Sequence, residues 1–142
     1  MEKLIYFVTP VKSSFVKSDI ELLSKNFKLM INNCAWNNKL LIPYFFILQS
    51  IQLIYLFLFK KLNAIVINFG GYWALIPTLL GKIFKVKVYI VLHGTDCCSL
   101  PSLNYGMLRK KFLRKICKIE YKKADLLLPV SSSLIYVENK FR

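Results

Sequence analysis

The sequence predicts an α/β fold: a Rossmann-like, doubly wound parallel sheet with helices on both faces. Three observations predict it. Short β-rich segments alternate with helical ones from end to end. Most of the strand segments are continuous apolar runs, as expected of strands covered on both faces. No internal repeat, low-complexity tract or linker breaks the alternation, so residues 1–142 read as one domain.

The first strand covers 3–9, KLIYFVT, and stops at Pro10. A loop follows in which Ser13, Ser14 and Ser18 can cap a helix. That helix covers 15–25, with Phe15, Ile20, Leu22 and Leu23 as its inner residues. FKLMI, 27–31, is a second strand, and the Asn-rich stretch 32–39 is a loop. Residues 40–59 carry no charge, and Pro43 suits the first turn of a helix. From 43 to 61 that helix would be about 28 Å long at ~1.5 Å per residue, enough to approach a bilayer's thickness. Gln49, Ser50 and Gln52 sit at its centre, where a span disfavours polar groups. The favoured reading is a buried or membrane-skimming helix; a small membrane protein anchored through 40–59 is the rival.

AIVINF, 64–69, is a third strand ended by Gly70-Gly71. Residues 72–84 form a helix containing Pro77 and Gly81, and 87–93 a fourth strand. A loop leads to a basic helix over 105–123, then a fifth strand over 124–131. SSSLIYVENKFR opens a further helix, with Ser131 to Ser133 available as its N-cap.

Composition narrows the function. Apolar residues are 56% of the chain, which excludes intrinsic disorder and a disulfide scaffold. Twenty-one basic against seven acidic residues give a net charge of +14, which favours anionic partners. Of that charge, +9 belongs to 72–142. Cys34, Cys97, Cys98 and Cys117 make no Cys-x-x-Cys pair, and His93 is the single histidine, so no zinc or other metal site is expected. No cofactor is expected either. Free thiols and the lack of a signal-peptide pattern favour a cytoplasmic location.

In such a fold the functional loops lie at the strand carboxyl ends, here 10–14, 32–36, 69–72, 93–104 and 131–133. The most informative is HGTD, 93–96, directly after a buried strand. Gly94 allows a turn and a close ligand approach, while His93 and Asp96 could bond sugar hydroxyls or a phosphate. The plainer alternative is a turn in which Asp96 bonds nearby amides and His93 is packed.

HGTD, with ADLLLPVSSSL about thirty residues later and AIVINFGGYWALIPTLLGKIFKVKVYIVL before it, resembles the N-terminal domain of family 4 glycosyltransferases of the GT-B fold. The resemblance covers essentially the whole chain. It implies an acceptor-side domain that works with a donor-binding domain, in the same or another chain. It implies a nucleotide-sugar donor, a hydroxyl acceptor and the configuration-retaining chemistry most of the family shows, with little activity from this domain alone. It places His93 near the donor sugar and diphosphate as the catalytic candidate, Gly94, Thr95 and Asp96 shaping that loop, and Ser131 and Ser132 facing the cleft. Ser13, Ser14, Gly70 and Gly71 complete the candidate cleft. Many members carry Gly-Gly after the first strand; here that loop is TPVKSSFVKSD, and Gly70-Gly71 follows the third strand instead.

The basic helix gives a second signal. At 100° per residue, Lys110, Lys111, Arg114, Lys115, Lys118 and Lys122 fall within about 140°, opposite Leu108, Phe112, Leu113, Ile116 and Ile119. The cationic side is either a solvated face or a peripheral dock for anionic lipid. Nucleic acid is not expected, since no helix-turn-helix, zinc or RNP-like pattern accompanies the charge. Trp36 and Trp73 could stack on a sugar, although core packing is the commoner role. Tyr44, Phe45, Phe46, Tyr55, Phe57 and Phe59 read as core. Cys97-Cys98 reads as incidental, and Asp19 and Glu21 do not form a matched catalytic pair. A non-catalytic module that docks on a membrane or partner remains the alternative function.

Overall fold

The structure, a computed structural model, describes residues 3–135. The helix expected beyond Ser133 lies largely outside them. The elements run β1 (Leu4–Val8), α1 (Ser14–Ser24), β2 (Lys28–Asn32), α2 (Ile42–Phe59), β3 (Leu62–Asn68), α3 (Tyr72–Ile83), β4 (Lys87–Leu92), α4 (Lys111–Lys123) and β5 (Leu126–Pro129). All neighbouring strands are parallel, in the order β2-β1-β3-β4-β5. The chain steps from β1 to β2, then crosses back over β1 to β3 and continues outward. That reversal puts a topological switch point between the carboxyl ends of β1 and β3.

Strand side chains alternate between two unequal faces. Tyr6, Ile65, Ile67, Val88, Ile90 and Leu127 form the main core with Leu53 and Leu56 of α2, Trp73 and Ala74 of α3, and Cys117 and Tyr121 of α4. The other face presents Ile5, Phe7, Val66, Tyr89 and Val91 toward α1. Only Val16 of α1 is fully buried. Phe15 and Leu22, expected as inner residues, stay exposed because the single helix covers just part of that face. They rim an open apolar groove of about 660 Å³ that extends to Leu128 and Val130.

The polar centre of α2 has partners within the fold. Gln49 is buried and its Nε2 donates to the Trp73 carbonyl at 3.1 Å. Gln52 Oε1 accepts from the Tyr6 hydroxyl at 3.0 Å and from Asn32 Nδ2 at 3.2 Å. Lys39–Phe59 is still long and apolar enough to cross a membrane by length and composition. Of the six aromatics expected in the core, Tyr44, Tyr55 and Phe59 are exposed, along a stripe of α2 that includes Ile47, Ile51 and Leu58.

The basic helix differs most from expectation. It begins at Lys111, not Tyr105, with a separate single turn over Met107–Arg109. The amides that would start a longer helix are occupied: Tyr105 N–H bonds Leu100, Met107 N–H bonds Thr95 and Leu108 N–H bonds Cys98. Its buried side is Ile116, Cys117, Glu120 and Tyr121. Phe112 and Ile119, expected to face the sheet, are 71% and 42% exposed.

Candidate functional site

The site is built from the loops after β3 and β4. Phe69 ends β3 with a φ of 64°, a left-handed backbone that a phenylalanine seldom adopts. Gly70 and Gly71 follow. Gly70 lies so close to Tyr121 that a Cβ would sit 2.2 Å from the tyrosine hydroxyl. Its N–H donates to Asp96 Oδ2 at 2.9 Å, while the Gly71 N–H donates to Glu120 Oε2 at 3.0 Å. Asp96 Oδ1 also accepts from the His93 and Gly94 amides, both at 3.1 Å. The Tyr121 hydroxyl donates to the Asp96 carbonyl at 2.9 Å.

Asp96 therefore ties two loops together. Its carboxylate is fully buried and turned inward onto backbone amides, the arrangement of the plainer alternative for this turn. Burial raises its pKa, against the lowering effect of its backbone N–H partners. Glu120 is more extreme: burial pushes it up to about 8, opposed by the Gly71 N–H and reinforced by the nearby Asp96 charge. Its Oε1 has no partner among the described residues.

His93 packs between two aromatic rings, stacked on Phe69 at 4.2 Å and tilted to Phe15 at 5.0 Å. Burial lowers its pKa below the usual histidine value, outweighing Asp96 and Asp19, so the imidazole is neutral at pH 7. Its Nε2 is buried without a partner among the described residues. Gly94 has a φ of 106°, and a Cβ there would meet nothing within 4 Å. Its outer side is thus open to an approaching ligand.

A second cavity of about 300 Å³ opens at the switch point. Trp36, Phe69, Tyr72 and Trp73 form its apolar walls; Asn37 and Thr95 supply polar groups. The Tyr72 hydroxyl donates to the Trp36 carbonyl, and Trp73 Nε1 donates to the Phe69 carbonyl at 2.9 Å. Both tryptophans are buried, so they wall the cavity rather than project into solvent. Thr95 shares a 2.9 Å hydrogen bond with the Tyr105 hydroxyl. Phe69 lines this cavity and also stacks on His93, which itself lines the sheet-face groove.

The remaining candidates are more scattered. Ser13 is half-buried at the head of α1, its hydroxyl without a partner among the described residues, and Ser14 is exposed. Ser131 and Ser132 are exposed after β5, and Ser131 Oγ accepts from the Ser133 amide at 3.4 Å. Lys110 precedes α4, while Lys111, Arg114, Lys115, Lys118 and Lys122 are exposed on it. Arg114 Nε donates to the Leu108 carbonyl at 2.6 Å. Sequence reasoning missed Phe69, Glu120 and Tyr121. Glu120 left one signal: it is the single acid in a helix of six cations.

Comparison of the chain with protein-family models, curated proteins and solved structures gave no match. Fold and site together define a parallel α/β domain with an aromatic-walled cavity at its switch point.

Proposed function

We propose that the chain is the acceptor-side domain of a glycosyltransferase that moves a sugar from a nucleotide-sugar donor to a hydroxyl acceptor. The observation that carries the reading is the aromatic cavity beside the His93-Gly94 turn. Aromatic walls with a few polar groups suit a sugar, whose C–H faces pack on rings while its hydroxyls bond Asn37 and Thr95. The motif HGTD followed by ADLLLPVSSSL gives the family resemblance, with family 4 of the GT-B fold.

In this mechanism a rotation of the neutral His93 ring brings Nε2, buried and unpartnered in the free protein, to a donor or acceptor oxygen. The open Gly94 backbone lets the diphosphate approach. Asp96 keeps both residues in place without touching the sugar. Binding and orientation of this kind, with charge stabilisation of the leaving diphosphate, supply the catalysis. The partner donor domain, in this chain or another, contributes the rest of the nucleotide-sugar site. Docking of α4 on the cytoplasmic membrane surface would bring a lipid-linked acceptor within reach.

The test is a transfer assay with radiolabelled UDP- and GDP-hexoses, run on the protein together with its donor domain. His93→Ala should lower turnover by about 10²-fold or more, the scale of a lost catalytic hydrogen bond, while far-UV circular dichroism stays the same. Full turnover in that variant removes His93 from the chemistry. No transfer by the unaltered pair, with stable association of the two, favours the non-catalytic docking module instead.

A further inference from the structure

The opposite pole of the sheet holds a second groove, and none of its residues belongs to the proposed sugar site. It lies where β1, β2 and β3 begin and α2 ends, with a volume of about 660 Å³, within the ~300–1,000 Å³ typical of ligand pockets. Its wall is apolar: Leu4, Leu29, Met30, Tyr55, Leu56 and Phe59. Its rim carries four exposed lysines, Lys3, Lys28, Lys60 and Lys61, and no acidic residue among the described residues lines it. An apolar trough with a cationic rim matches a molecule that is hydrocarbon at one end and anionic at the other.

The geometry points to a binding site for one anionic lipid, its phosphate on the lysine rim and its chain along the Leu4–Met30–Phe59 wall. The charge suits a phosphate headgroup, and the apolar surroundings favour a membrane lipid over a free anion. Four point charges suit a phosphate, which lysine binds without needing a planar partner. The α2 carboxyl end opposes an anion with only about half an elementary charge, far less than four lysines provide. In addition, Tyr55 and Phe59 belong both to the groove and to the outer stripe of α2, where Tyr44, Ile47, Ile51, Ile54, Tyr55, Leu58 and Phe59 are 41–71% exposed. A lipid can pass from a bilayer under that stripe into the groove along continuous apolar surface. Lys39 precedes the helix and Lys60-Lys61 follow it, so both ends of the stripe are cationic.

The site is tested by calorimetric titration of the protein with palmitoyl lysophosphatidic acid below its micellar concentration. Saturable one-to-one binding is expected. Palmitoyl lysophosphatidylcholine should bind at least tenfold more weakly, and inorganic phosphate should give no saturable heat. Lys60→Gln/Lys61→Gln should weaken the anionic lipid about tenfold and leave the zwitterionic one unchanged. Met30→Trp, which fills the trough without altering charge, should also weaken binding tenfold or more. If Met30→Trp does not fold, Tyr55→Ala serves, since its half-exposed ring can be removed from the wall without opening the core. Binding that survives the filled or shortened trough, or equal affinity for the two lysolipids, overturns the site. Since lysines 110–122 are untouched in every variant, general attraction of α4 to lipid leaves these comparisons unchanged.

Discussion

Glu120 is the residue whose environment departs most from what its chemistry prefers. It is fully buried beneath Gly71, with one oxygen bonded and one unpartnered. Its folded pKa of about 8 lies above the ordinary 4.5, so the folded state holds the proton more tightly than the unfolded one. The stabilisation from that proton is full below pH 4.5 and is lost as pH rises through 8. The loss by pH 9 is on the order of 5 kcal/mol, at about 1.4 kcal/mol per pKa unit between 4.5 and 8. Glu120→Gln keeps an acceptor for Gly71 and removes the titration. Urea denaturation at pH 5 and pH 9 should therefore show a much smaller stability difference in the variant, with a residual slope from Asp96, raised by burial in the same cluster. An unchanged difference would place Glu120 in a wetter setting than the structure gives. At this scale the sequence was half legible. HGTD marked a turn at the carboxyl end of β4, but the inward turn of Asp96 depends on the amide of Gly70, twenty-six residues away, which no local pattern reveals.

Gly81 lets α3 approach β4 closely. A Cβ at 81 would lie 2.4 Å from Val88 Cγ2 and 3.2 Å from Ile65 Cδ1. Gly81→Ala should destabilise the fold by about 1–3 kcal/mol, the usual cost of overpacking, despite alanine's better helix propensity. Trimming the neighbour tests the cause: Val88→Ala should cost less in the Gly81→Ala background than alone, a non-additivity visible in thermal melts. Strict additivity would show that the helix simply shifts. Strands were the most legible elements, since continuous apolar runs such as KVYIVL leave little alternative. The basic helix was the least legible. Its first turns are unwound by bonds to Thr95 and Cys98, and its rotation is set by burying Glu120 and Tyr121 instead of Phe112.

Over the whole molecule, charge and apolarity share the helical layer. Lys111, Lys115, Lys118 and Lys122 project from α4 beside the exposed Phe112 and Ile119, and α2 carries the long apolar stripe. With a net charge of +14, the molecule should float with phosphatidylglycerol vesicles and not with phosphatidylcholine ones. Each lysine near an anionic surface is worth about 1 kcal/mol, so Lys111→Gln/Lys115→Gln/Lys118→Gln should reduce partitioning by about 10²-fold. Raising salt to 0.5 M should have a similar effect on the unaltered protein. Equal recovery on neutral vesicles would assign the attachment to the apolar stripe alone. Composition showed the surplus of both charge and apolar residues; only the packing of α2 separated its inner glutamines from its outer stripe.

The interior place of β1 in the sheet has a mechanical consequence. β1 lies between two parallel partners, β2 and β3, and starts at the pole opposite the one where β5 ends. A pull applied between Lys3 and Ile135 therefore loads β1 along its own axis. Its hydrogen bonds to both neighbours are stressed in shear and must give way together, whereas an edge strand pulled sideways would unzip one bond at a time. The sheet should therefore yield abruptly and at high force in a single-molecule pull between those two positions.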